Sequence, residues 1–226
     1  MIAALFDVEG TLHTAQMGRG LLRYAREHGY SSAANRYYLT VLPFFALRKL
    51  RLVSDERLRR AAIGKLGGIM QGWTQEQALA AFDWIIHDYI LPTARRDAMA
   101  RFREHQAQGH AVVLVSGMPL PCLERLGAAM GTTGVVGTDL EVTDGRYTGR
   151  SILPVMVGAD KANGTRSFFA QRGIDVDWHS SFAYGDSIHD QSIFDLVGHP
   201  VAVHPDAELR ALAQARGWEV IGEEMR

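Results

Sequence analysis

The sequence predicts an α/β protein: a parallel sheet covered by helices on both faces, with an all-helical segment inserted behind the first strand. Three observations predict it. Short apolar runs alternate with helical periodicity through residues 93–221, the pattern of repeated strand–helix–strand units. Residues 18–91 instead carry apolar residues at three-to-four spacing and no convincing strand. The chain has 226 residues, 47% hydrophobic and 22% charged, which is enough apolar surface for a large core and rules out general disorder.

Residues 2–8 read as a short buried strand followed by a Gly10-Thr11 turn. Within the insertion, helices are expected at 37–50, 55–69 and 74–89, with Ser54 and Thr74 as N-caps and Glu56 and Gln77 supporting the first turns. Pro92 marks its end. A helix over 93–108 stops at Gly109, and 111–115 is a buried strand. A helix at 120–130 and a strand from 135 follow, and Asp144-Gly145 forms the turn of a small hairpin. Helices at 161–172, 188–197 and 207–215 then alternate with strands at 181–184, 201–203 and 218–221. The expected division is a core of residues 1–14 and 94–226 and a helical cap of residues 15–93, the hairpin being too small for a second cap.

Composition narrows the function classes. One cysteine, Cys122, excludes an internal disulfide framework and a cysteine-based zinc cluster, and it suits a reducing compartment. The apolar run 1–6 meets Asp7 at once, too short for a secretory signal, and no run approaches the roughly 18 apolar residues of a membrane span. A cytoplasmic protein without stable membrane insertion is therefore expected. Net charge is −1, but residues 15–66 hold eleven Lys/Arg against three Asp/Glu, leaving thirteen basic and twenty-two acidic residues elsewhere. That asymmetry points to steering of anionic molecules. It does not point to nucleic acid, because no recognition motif accompanies the basic charge.

Three polar clusters sit at the carboxyl ends of expected strands: 7–11, Ser116-Gly117 and 185–190. In a parallel sheet those ends face one crevice. There Asp7, Glu9, Asp186 and Asp190 would converge, and four carboxylates that close require a cation. All-oxygen ligands favour a hard one, Mg²⁺ first. Ser116, the backbone amides of Gly10 and Gly117, and a lysine from elsewhere would bind an oxyanion beside it.

These residues resemble the signature of the haloacid dehalogenase-like (HAD) superfamily, and within it the phosphoserine-phosphatase-like hydrolases. The first motif, an apolar strand then Asp-x-Asp-Gly-Thr, is matched by Leu5-Phe6-Asp7-Val8-Glu9-Gly10-Thr11. A strand ending in Ser is matched by Val113-Leu114-Val115-Ser116-Gly117, a lysine opening a helix by Lys161, and Gly-Asp-Ser-x-x-Asp by residues 185–190. The resemblance spans residues 2–222 and is thinnest in the cap. It implies a Rossmann-like core and a Mg²⁺-dependent phosphatase that hydrolyses a small phosphate monoester through an aspartyl-phosphate. Asp7 would be the nucleophile and a metal ligand. Glu9 would be the acid/base, with its main-chain carbonyl on the metal. Asp186 would be the other carboxylate ligand and Asp190 would support the metal shell. Gly10, Ser116, Gly117 and Lys161 would hold phosphoryl oxygens. The partner implied is a small phosphorylated metabolite.

Glu9 departs from the family pattern, which has Asp there. The extra methylene displaces the carboxylate, and shifts of about 1 Å can cost roughly a hundredfold in rate. Two alternatives therefore stand beside the phosphatase: a phosphotransferase or mutase on the same scaffold, and a catalytically weak binding protein. His13 reads as a surface or hinge histidine, and His189 is assigned no role. Cys122 and the four tryptophans read as packing residues. The apolar, basic stretch 36–51 reads first as a cap helix buried against its neighbours, with a lipid-surface contact or a substrate-facing wall as alternatives.

Overall fold

The computed structural model describes residues 1–222, so residues 223–226 of the expected core lie outside the described residues. Its strands are β1 (Ala3–Phe6), β2 (Ala111–Pro119), β3 (Gly134–Thr138), β4 (Leu140–Thr143), β5 (Arg146–Ser151), β6 (Phe182–Gly185), β7 (His199–Val203) and β8 (Glu219–Ile221). Six of them form one sheet in the order β3-β2-β1-β6-β7-β8. Every pairing in it is parallel. Strand side chains alternate between two buried faces, as a sheet covered on both sides requires. Ala4, Phe6, Leu114 and Tyr184 pack on one face with Phe102 and Leu123. Leu5, Val113 and Ala183 pack on the other with Phe169, Phe194 and Leu209.

Between β1 and β2 the chain runs through α1 (Met17–Glu27), α2 (Ser31–Lys49), α3 (Asp55–Lys65), a 3₁₀ turn (Leu66–Met70), α4 (Gln75–Trp84), a π-helical turn (Ile85–Ile90) and a last 3₁₀ turn (Leu91–Thr93). The expected all-helical insertion is there. Ser54 caps α3 by accepting from the Arg57 N–H at 3.3 Å. Glu56 does not complete that cap; it pairs with Arg60 at 3.2 Å. Thr74 and Gln77 form a reciprocal capping box on α4. Pro43 lies inside α2.

Chain entry and exit of the insertion are clasped together. Thr14 N–H donates to Thr93 O at 3.1 Å and Arg95 N–H donates to Leu12 O at 2.8 Å. His13 is fully buried beside this clasp, so the surface reading does not hold. Burial pushes its imidazole down to about 4, leaving a neutral ring at ordinary pH.

The remaining helices are α5 (Arg96–Ala107), α6 (Leu120–Met130), α7 (Ala159–Gln171), α8 (Gln191–Phe194) and α9 (Ala207–Arg216). Several boundaries differ from the sequence expectation: α2 begins at Ser31 rather than 37, α3 ends at Lys65 rather than 69, and two differences lie in the core. β2 continues past Val115 to Pro119 with a register irregularity, and the helix expected over 188–197 is a 3₁₀ turn at Ile188–Asp190 followed by the short α8. The β4–β5 hairpin turns at Asp144-Gly145 with positive φ at both residues, the geometry that matches strand twist. It does more than protrude: Gly72 N–H donates to Tyr147 O at 2.8 Å and Tyr147 N–H to Trp73 O at 3.0 Å, fastening the hairpin to the insertion.

Candidate active site

Because β1 lies between β2 and β6, its carboxyl end is the centre of the crevice. Asp7 leaves β1 there, flanked by Ser116 and Gly117 from β2 and by Asp186 just after β6. Lys161, in the first turn of α7, reaches in from the side. Its Nζ donates to Asp7 Oδ1 and to Asp190 Oδ1, both at 2.6 Å. The turn after Asp7 is set by Gly10, whose φ is +94° and where a Cβ would stand 2.2 Å from Asp186 Oδ2. No side chain fits at that position, so Asp186 closes directly onto the loop backbone. Arg95 Nε–H donates to Gly10 O at 2.8 Å and braces the same loop from behind.

The carboxylates of Asp7, Asp186 and Asp190 bring one oxygen each within 4.8 Å of the others. Burial pushes the Asp7 carboxyl up to about 6 against the opposing charge of Lys161. Burial, with Asp7 and Asp190 alongside, pushes Asp186 up to about 7. Burial works against the Lys161 charge, yet Asp190 and Asp7 hold its ammonium above the ordinary range. One ammonium does not balance three carboxylates. This oxygen-only donor set with excess negative charge fits a hard divalent cation.

Glu9 is where the sequence expectation needs correction. Its carboxylate is not part of that cluster, so three carboxylates converge rather than four. The longer arm reaches toward the helical insertion, and Glu9 Oε1 accepts the N–H of Met17, the first residue of α1. The preceding residue, Gln16, offers no side-chain cap, and the first turn has no acidic residue. Glu9 thus serves an unpartnered N–H at the helix's positive end. Burial pushes its carboxyl up to about 7, opposed by the Met17 hydrogen bond.

These groups share a cavity of about 120 Å³, small beside the roughly 300–1,000 Å³ of pockets for drug-sized ligands. Asp7, Glu9, Gly10, Ser116, Gly117, Lys161, Asp186 and Asp190 all line it, so every sequence-predicted site residue is present. Ser116 Oγ accepts the Met118 N–H at 3.3 Å. Other residues escaped the sequence reading. Thr11 sits in the first motif without an assigned role; its hydroxyl lies 3.1 Å from Asp7 Oδ2 and 3.4 Å from Asp186 Oδ1. His189, assigned no role, lines the cavity. Arg59 and Ile63 enter from α3, and a Cβ on Gly117 would lie 2.8 Å from Ile63 Cδ1, so the insertion closes over the Gly117 backbone. Only the basic excess of residues 15–66 hinted at Arg59.

The family model described as haloacid dehalogenase-like hydrolase matches residues 4–195. The chain belongs to this family. It is an enzyme, a phosphoric monoester hydrolase. A phosphoserine phosphatase of Mycobacterium tuberculosis (strain ATCC 25618 / H37Rv) is 32% identical over 226 residues, covering 96% of this chain and 70% of that protein. A histidinol-phosphatase of Neisseria meningitidis serogroup C (strain 8013) is 32% identical over 136 residues, 59% of this chain and 61% of its own length. A crystal structure of a protein with unknown function from Bordetella pertussis Tohama I superimposes with a TM-score of 0.82 at 26% identity, covering 98% of this chain and 99% of that one.

Proposed function

We propose that this HAD phosphatase hydrolyses a small phosphate monoester through an aspartyl-phosphate on Asp7, with Mg²⁺ as cofactor. The observation carrying this is the pairing of Asp7 with Lys161 in a cavity that Glu9, Asp186 and Asp190 also line. Asp7 Oδ attacks phosphorus and the ester P–O bond breaks, leaving the phosphoryl group on the carboxylate. The leaving alkoxide takes its proton from the Glu9 carboxyl. In the second half, the Glu9 carboxylate accepts a proton from water as that water attacks phosphorus and frees Asp7. A group held near 7 suits both directions of transfer. Lys161, Ser116 and the Gly117 N–H orient the phosphoryl oxygens and offset their charge. Asp7 and Asp186, with the Glu9 carbonyl and support from Asp190, would hold Mg²⁺, which supplies charge neutralisation at the phosphoryl group.

The cavity's small size selects a compact leaving group, and Arg59 favours one carrying a second anionic group. Of the relatives named for phosphoserine and for histidinol, only the first has a leaving group with a carboxylate, so their names do not choose the substrate among small esters. The test is release of inorganic phosphate from phosphorylated amino acids, amino alcohols, sugars and nucleotides with Mg²⁺, compared with Arg59→Ala. The expected result is turnover of small esters, with KM raised in the variant for carboxylate-bearing substrates. No phosphate release from any ester, or no phosphoryl label on the Asp7 peptide after acid quench, overturns the proposal.

A further inference from the structure

The stretch expected to pack as a buried cap helix does not do so. α2 buries only Ala33, Ala34 and Val41. Tyr38 is 44%, Leu39 70%, Leu42 61% and Phe45 55% exposed, and their three-to-four spacing puts them on one helix face. Leu50 and Leu52 extend the apolar surface beyond the helix end, at 67% and 65% exposure. Cations are interleaved with it. Lys49 falls on the same face by spacing, Arg51 stands exposed between Leu50 and Leu52, and the Arg26 guanidinium lies 5.4 Å from the Tyr38 ring centre. Residues 28–54 contain no Asp or Glu. The acids at either edge are held elsewhere, Glu27 by Arg23 at 2.8 Å and Asp55 by Arg48.

We propose that this face docks on an anionic lipid membrane surface, with α2 lying in the interfacial plane. Large apolar side chains that enter the headgroup boundary, with cations meeting anionic headgroups, are the chemistry of such contacts. No helix among the described residues is long and apolar enough to cross a membrane, so the contact is peripheral. A second copy of the chain fits less well. A two-fold contact would set this acid-free, cationic face against itself.

The test is co-sedimentation of the full chain with phosphatidylcholine vesicles and with mixed phosphatidylcholine–phosphatidylglycerol vesicles, at low and high salt. Binding to the anionic vesicles is expected at low salt and should fall as salt rises. Leu42→Asp/Phe45→Asp should lower the partition about tenfold or more, since half-burial of two such side chains is worth that much. Lys49→Glu/Arg51→Glu should lower it by about tenfold or more through lost headgroup attraction. All four side chains are outside the cavity, and a thermal melt checks that each variant folds. Equal sedimentation with and without anionic vesicles overturns the proposal, as does unchanged binding in both variants. A concentration-dependent dimer that the Leu42→Asp/Phe45→Asp pair abolishes, without vesicle binding, assigns the face to a second copy and overturns it too.

Discussion

Replacing Glu9 by Gln and by Asp separates the two tasks we assign to one carboxylate, proton transfer and the capping of α1. Glu9→Gln keeps an amide oxygen at the reach of Oε1, so the Met17 N–H retains its acceptor and α1 its start. What disappears is the proton. General acid–base assistance is worth about 10² to 10⁴ in rate, or roughly 3–5 kcal/mol of barrier. The loss should be largest on alkyl phosphates, whose leaving alkoxide needs protonation, and smaller on an activated aryl phosphate. The pH profile should lose the inflection near 7 that the raised carboxyl imposes on wild type. The stability sign also follows. A Glu raised from 4.5 to about 7 contributes stability that is present below 4.5 and lost as pH rises through 7. Glu9→Gln should therefore gain on wild type in thermal melts between pH 5 and pH 8. Glu9→Asp should do the reverse. Its arm is about 1.5 Å shorter and cannot reach the Met17 N–H, so α1 loses an N-terminal acceptor worth about 1 kcal/mol. In a chain of this size that is a Tm drop of about 2–4 °C, with proton transfer retained. Stopped-flow phosphate release on an alkyl ester, run beside differential scanning calorimetry, reads both. Unchanged kinetics and an unchanged pH profile in Glu9→Gln would refute the acid/base assignment; an unchanged Tm in Glu9→Asp would refute the capping one.

Asp7→Asn should abolish turnover and leave no phosphoryl label on the protein, with circular dichroism unchanged because the amide oxygen still accepts from Lys161. Asp186→Ala should remove the Mg²⁺-dependent rise in Tm as well as activity, and full wild-type activity in excess chelator would count against the cluster as a metal site. The specificity constant should fall as salt rises, more steeply for doubly than for singly charged esters, since the insertion is basic and its Arg59 lines the cavity; a flat response at fixed Mg²⁺ would remove steering.

The places of Asp7, Ser116, Lys161 and the 185–190 segment were legible in the sequence for a physical reason. Each lies beside a local apolar run that fixes its place, Ser116 within β2 just past its apolar stretch and the others at the end or start of an element, and a parallel sheet then sends the carboxyl-end residues to one crevice. The capping box at Thr74 and the turn at Asp144-Gly145 were legible for the same reason, being interactions within a few residues. The direction of Glu9, the entry of Arg59 and Ile63 over Gly117, the bracing of Gly10 by Arg95 and the fastening of the hairpin to the helical insertion join residues far apart in the chain. So does the exposure of α2, whose apolar residues encircle the helix and leave periodicity no means of choosing the buried side. Local pattern specifies what each segment is; which side chains meet depends on how segments pack, and that is written in contacts of long sequence separation.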